Sequence, residues 1–229
     1  MMNVESAIPR RRVGVALSAV LVGTAIVLRT FAADAASPEA NRPNVIVFLS
    51  DQQRWDSVGC YGQKLDLTPQ LDRMAAEGVR FRYAFTSQPV CGPTRAVLQT
   101  GKYATQTGCF RNGIPLPTSE KTLAHWFSEA GYEVAYIGKW HLASTNANPV
   151  PPERRGSYRD FWLASDVLEF TSHSYDGHMF DGQGRQRDFP PGRYRVDAQT
   201  DWAINNRRQA VDTLWKRTAS LRSRRPECP

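Results

Sequence analysis

The first informative pattern along the chain is Asn44–Leu49, an unbroken apolar and β-branched run that stops at Ser50-Asp51-Gln52. Such a run marks a strand buried on both faces of a parallel sheet. Thr68-Pro69 then offers an N-cap and a proline at the first helical position. Leu71, Met74 and Ala75 keep three-and-four spacing and Gly78 suits a C-terminal stop, so the spacing predicts a helix over Pro69–Glu77. Val79–Phe85 reads as a second strand. Leu123, Trp126, Phe127 and Ala130 share one face of a helix predicted over Glu120–Ala130, closed by Gly131. Tyr132–Ile137 follows as the next strand and ends at Gly138-Lys139-Trp140-His141.

Strand and helix in alternation predict an α/β fold: a doubly wound, mostly parallel sheet flanked by helices, with right-handed crossovers. Ligands of such sheets sit beyond the carboxyl ends of the strands. Two of the predicted ends carry polar clusters, Asp51-Gln52 and Lys139-x-His141. From Asn146 onward the pattern weakens into a Pro-, Gly- and Arg-rich stretch with Phe161-Trp162, Phe170, Tyr175 and Phe180 scattered through it. It reads as surface excursions covering the sheet rather than as a second domain.

Composition changes this picture only at the two ends. With 229 residues, 41% hydrophobic and 22% charged, the chain is neither disordered, collagenous nor a coiled coil. The net charge of +7 would suggest a nucleic-acid or anionic-membrane partner if it were spread over the surface. It is not: residues 41–206 hold 18 basic and 17 acidic groups, whereas residues 207–229 hold 7 and 2. Nucleic acid is therefore no expected partner. Arg10-Arg11-Arg12, the uncharged run Val13–Leu28 and Ala33-Asp34-Ala35 have the layout of a cleaved export signal over residues 1–36. A short uncleaved anchor and either of the two bacterial export routes remain open readings. The expected location is periplasmic or secreted, with no stable membrane association after cleavage. Residues 207–229 form a basic irregular tail, read as a solvated helix, an anion-binding patch or a non-native, frame-changed stretch.

Four cysteines, Cys60, Cys91, Cys109 and Cys228, are too few and too irregularly spaced for a disulfide scaffold or a zinc site. Cys91 stands out by its neighbours, Cys91-Gly92-Pro93-Thr94-Arg95. Pro93 suits the first turn of a helix, which puts Cys91 just before its N-terminus, where the free N–H groups and the dipole favour an anion. Arg95 lies one turn on. By chemistry alone Cys91 is a structural thiol, a redox cysteine or a nucleophile.

Cys-x-Pro-x-Arg at Cys91–Arg95 resembles the signature of the type I sulfatases, of the alkaline-phosphatase-like superfamily, in which this cysteine is oxidised to formylglycine. The stretch from Asn44 to Gly62 resembles the family's first strand and metal loop, and Gly131-Tyr132 through His141 its second signature. Together the three motifs cover about Asn44 to Leu142. Tyr175–Phe180 and Phe189–Trp202 are similar to one sulfatase branch. Gln99 and Val134 depart from the pattern at positions where an apolar residue and a Ser or Thr are usual.

The resemblance implies a role for each matched position. Cys91, as hydrated formylglycine, would attack the sulfur of a sulfate ester, and its second hydroxyl would expel sulfate. Asp51, Gln52 and the modified Cys91 would face a divalent cation, Ca²⁺ by similarity, with Mn²⁺ or Mg²⁺ as alternatives because Gln52 stands where many relatives have a second Asp. Arg95 would hold the formylglycine, Lys139 would contact sulfate oxygens, and His141 would orient or deprotonate the nucleophile. His173 and His178, in an aromatic-rich loop, are further candidates for touching substrate. The implied partners are a sulfate-ester small molecule or sulfated glycan and a formylglycine-generating enzyme.

The family's site is normally completed by a later Asp-Asn or Asp-His pair, a histidine and a lysine, and no Asp-Asn or Asp-His dipeptide occurs in this chain. The expectation is thus the N-terminal part of a sulfatase catalytic domain over residues 41–206, with sulfate-ester hydrolysis impaired. A phosphonate or phosphodiester hydrolase of the same superfamily and a non-catalytic anion-binding remnant are the alternatives.

Overall fold

The computed structural model describes residues 42–206. The expected export signal and the basic tail lie outside the described residues. The chain divides into two compact units, one ending at Gln52 and the other beginning at Gln53. No helix among the described residues is long and apolar enough to cross a membrane.

In the first unit, residues 42–49 carry no assigned secondary structure, and Val45, Ile46, Val47, Phe48 and Leu49 are exposed. The predicted strand over Asn44–Leu49 is therefore not formed. An apolar run specifies a wish for burial but not the neighbouring strand whose ladder would supply it. Among the described residues no strand pairs with it. Gln52 closes the unit with a left-handed φ of 52°, a conformation uncommon outside glycine.

The second unit is built on α-helices and a four-stranded sheet. α1 (Pro69–Glu77) has the predicted bounds. The backbone N–H of Cys60 donates to Asp72 in α1 at 2.5 Å, and that of Gly59 donates to the Thr68 hydroxyl at 2.9 Å. A Cβ at Gly59 would collide with the Asp72 carboxylate, so this position admits no side chain. The predicted strand over Val79–Phe85 is absent and Phe85 is 92% exposed. α2 (Cys91–Thr100) ends at Gly101 with φ 69°, the left-handed stop that glycine accepts without cost. α3 (Ala104–Thr107) is a single turn, and α4 (Leu123–Glu129) falls inside the predicted helix. Thr122 caps α4, and His125 takes the part a Glu or Gln plays in a capping box, Nδ1 accepting from the Thr122 N–H at 3.0 Å.

The strands are β1 (Ala135–Lys139), β2 (Phe161–Ser165), β3 (His178–Asp181) and β4 (Gln186–Asp188), in that order across the sheet. β1 and β2 pair in parallel, from Ala135 opposite Phe161 to Lys139 opposite Ser165. β2–β3 and β3–β4 pair antiparallel, so the described sheet is mixed. Three of its four strands come from the stretch read as surface excursions. β2 is the buried centre, and alternation sends its side chains to both faces. Trp162 and Ala164 join Ala96, Cys109, Leu116, Trp140, Leu142, Ala143 and Val150 on one face. Leu163 joins Leu168, Met179, Phe189 and Ala198 on the other, beside a helix through residues 195–206. Two covered faces make this an α/β layer arrangement.

Candidate active site

Cys91 is the first residue of α2 rather than the residue before it. Its helix has an N-cap, Val90, whose side chain cannot accept a hydrogen bond, and the sequence supplies no local remedy. Asn112, twenty-one residues on, does the work instead. Its Oδ1 accepts the Gly92 N–H at 2.9 Å, and its Nδ2 donates to Cys91 Sγ at 3.3 Å. One amide thus satisfies an orphan helix donor and touches the candidate nucleophile. A Cβ at Gly92 would press on Asn112 Oδ1 at 3.0 Å and on the His141 carbonyl at 3.4 Å, so the helix start and the end of β1 are packed backbone to backbone.

Arg95 points back across this junction. It is buried, and its Nη1 donates to the Lys139 carbonyl at 2.5 Å and to the Tyr136 hydroxyl at 3.4 Å. The Tyr136 hydroxyl donates to the same carbonyl at 2.6 Å, and burial pushes the Tyr136 phenol up to about 12. Tyr136 is packed among Trp140, Tyr158 and Trp162, with ring centroids 5.0 to 5.4 Å away. Lys139 leaves β1 at its carboxyl end with a side chain 7% exposed, and its Nζ donates to Glu169 at 2.6 Å. Gln99, where an apolar residue was expected, is buried on α2 and accepts the Tyr158 hydroxyl at 3.0 Å. Val134, the other departure, is buried.

His141 follows with a left-handed φ of 56°, a conformation that a non-glycine residue holds only where its surroundings impose it. Its N–H donates to the Asp166 carbonyl at 2.8 Å. The fully buried Asp166 carboxylate accepts from the backbone N–H groups of Ala143, Thr145 and Asn146 at 3.0, 2.7 and 3.2 Å. A single carboxylate beyond β2 thereby fixes the loop that β1 feeds. His141 Nδ1 is buried without a hydrogen-bond partner among the described residues. Burial, then the Lys139 charge, lowers the His141 pKa below the ordinary histidine value, so the ring is held neutral.

The structure thus gathers Cys91, Arg95, Lys139 and His141 around the start of α2 and the end of β1. His178 begins β3, its ring edge-on to Phe180 at 5.1 Å, and among the described residues no hydrogen bond or ion pair joins it to the four. Asp51 and Gln52 belong to the other unit. They offer a carboxylate and an amide carbonyl, hard oxygens suited to a divalent cation. Among the described residues no three of His, Cys, Asp and Glu come together to hold a metal, and two oxygens fall short of the roughly six to eight that calcium takes. Cys60 and Cys109 are free thiols, and burial pushes the Cys109 thiol up.

Sequence reasoning passed over Asn112 and Asp166. Asn112-Gly113 carries the signal of a turn and nothing more. Asp166 stands directly after an apolar run, the same signal that singled out Asp51, but its strand went unread.

Polar groups beyond the carboxyl ends of a parallel pair, with a helix starting at a cysteine beside them, place the protein among α/β proteins that take their ligand at the strand ends. The Sulfatase family profile matches residues 43–209, and the chain belongs to that family. It is 42% identical over 177 residues to the sulfatase YidJ of Escherichia coli, covering 76% of this chain and 35% of that one. It is 40% identical over 138 residues to an ulvan-active sulfatase of Formosa agariphila, covering 60% of this chain and 26% of the relative. A structure solved in complex with its substrate D-glucosamine-2-N,6-O-disulfate aligns with a TM-score of 0.61 and 32% identity over 72% of this chain and 31% of that chain. The chain therefore spans about a quarter to a third of the length of these relatives.

Proposed function

We propose that this chain supplies the nucleophile side of a sulfatase active site and acts on sulfate esters through a formylglycine made from Cys91 by a formylglycine-generating enzyme, after export from the cytoplasm. The observation that carries the reading is the position of Cys91 Sγ: at the first turn of α2, held by Asn112 Nδ2, in a chain whose family generally uses a divalent metal and formylglycine. Formylglycine, when hydrated, supplies one hydroxyl to attack sulfur and a second whose deprotonation releases sulfate.

The protein's own groups do the rest. The N–H groups opening α2 and the Lys139 ammonium put positive potential where sulfate oxygens gather. Arg95 ties α2 to the Lys139 carbonyl, which fixes the start of α2 against the end of β1. The neutral His141 ring can take a proton at Nδ1, the atom the fold leaves unpaired. Asp51 and Gln52 supply part of a cation site, for Ca²⁺ by similarity, and no step above depends on it.

The relatives acting on ulvan and on a glucosamine disulfate support a sulfated glycan as substrate. The test is sulfate release from p-nitrophenyl sulfate by chain co-expressed with a formylglycine-generating enzyme, against the same chain carrying Cys91→Ala. Release that is slow, because the chain carries only part of the site, and that the substitution abolishes is expected; equal release by both would end the proposal.

A further inference from the structure

A cleft of about 250 Å³ is lined by Glu169, Ser172, His173, Ser174 and Arg195. It adjoins the site above because Glu169 is the residue that holds Lys139 Nζ. Nothing in the chemistry described so far uses it. Its lining is polar throughout, with no aliphatic wall to receive a sterol or an alkyl group.

Arg195 is anchored there on one side only. Its N–H donates to the Ser174 carbonyl at 2.8 Å, and its Nη1 to the hydroxyl and carbonyl of Ser172 at 3.2 and 3.4 Å. Its Nε and Nη2 donate to no described residue. A guanidinium so held offers a planar edge to a carboxylate or sulfate. Charge points the same way, since Lys139 already offsets Glu169 and Arg195 adds a further cation, which disfavours a cationic leaving group.

Two tyrosines flank the cleft residues in sequence, Tyr175 after Ser174 and Tyr194 before Arg195. Their ring centroids are 5.7 Å apart, and they are 62% and 42% exposed. The two rings, tilted 52° to each other, stand one residue along the chain from the lining residues Ser174 and Arg195, and an exposed aromatic face suits a sugar, whose C–H face packs on a ring while its hydroxyls find hydrogen bonds.

We propose that this cleft receives the leaving group of the ester as a single sugar ring, with Tyr175 and Tyr194 as its platform and Arg195 pairing with a second anionic substituent on that sugar. The proposal rests on the sulfatase reading for what lies at Lys139, but its test needs no turnover. Isothermal titration calorimetry on the chain with unmodified Cys91 would compare glucosamine 2-N,6-O-disulfate with glucosamine 6-sulfate.

The disulfate is expected to bind about tenfold more tightly, the worth of one charge-assisted pair. Arg195→Ala should erase that preference, Arg195→Lys should keep part of it, and the double change Tyr175→Ala, Tyr194→Ala should weaken both ligands about fivefold or more. Arg193→Ala, at an arginine paired with Asp197 and Asp201, should leave the preference intact. Failure to bind either sugar, or a preference that survives Arg195→Ala, overturns the cleft. Binding with the predicted preference but no sulfate release from the formylglycine-loaded chain counts against the sulfatase reading and leaves the cleft standing.

Discussion

Arg95 and Lys139, one on α2 and one at the end of β1, are joined through main chain rather than charge: the Arg95 guanidinium donates to the Lys139 carbonyl at 2.5 Å. The bond turns two separate sequence motifs into one rigid corner. Arg95→Lys keeps the charge but loses the fork of donors that reaches both the carbonyl and Tyr136. It should destabilise the chain by about 1 to 3 kcal/mol, the cost of a weakened buried bond from a charged group. Urea unfolding midpoints of the two proteins would show it, and coincident midpoints would mean the corner is held by something else.

Asp166 holds the next corner. Asn at this position keeps the size but turns one of two acceptors into a donor, leaving at least one of the N–H groups of Ala143, Thr145 and Asn146 facing another donor. The expected loss is about 1 to 3 kcal/mol for Asp166→Asn. Amide hydrogen exchange should speed up first at residues 143–146. Unchanged protection there would remove Asp166 from the account.

Much of this corner was legible in the sequence, and the reasons for the rest are physical. The bounds of Pro69–Glu77 follow from the proline at its first position, a local signal, whereas the Thr68 hydroxyl accepts the Gly59 N–H instead of capping the helix and Gly78 ends it without a left-handed turn. β1 begins three residues later than the apolar pattern suggests because Gly131, with φ 83°, ends the turn after α4 and residues 132–134 carry no assigned structure before the strand starts. β2 escaped notice because five residues buried on both faces show no alternation of polar and apolar. The runs at residues 44–49 and 79–85 show the converse, with strand-like composition but no strand partner among the described residues. Arg95, Lys139 and His141 were marked by their motifs. Asn112 was not, because its use as a cap for a helix twenty-one residues away is a tertiary fact.

Asn112 separates capping from contact with the nucleophile. Asn112→Asp keeps an acceptor for the Gly92 N–H but loses the donor to Cys91 Sγ, whereas Asn112→Ala loses both. Thermal unfolding should show Asp near wild type and Ala about 1 kcal/mol less stable. Peptide-resolved iodoacetamide labelling should find Cys91 slower to react in the Asp variant, where a carboxylate faces the forming thiolate. Equal labelling rates would mean that Asn112 serves the helix alone.

His141 predicts a pH dependence with a definite sign. Burial, and then the Lys139 charge, lowers its folded pKa below the unfolded value of about 6.5. The unfolded chain binds the extra proton as pH falls, so the contribution to stability is full above about 6.5 and is lost as pH drops toward the lowered native value. Unfolding at pH 7.5 and at pH 5.5 should show wild type losing more stability on acidification than His141→Gln. Parallel losses would show that the His141 proton is not coupled to folding.

The most direct test of the account is the chemical state of Cys91. Co-expression with a formylglycine-generating enzyme, trypsin digestion and mass spectrometry of the peptide Tyr83–Arg95 read it in one step. An aldehyde at Cys91, absent when the partner enzyme is omitted, is the predicted result. An intact thiol in soluble, folded chain under both conditions would contradict it, because a sulfatase whose nucleophile is never made has no reaction to perform.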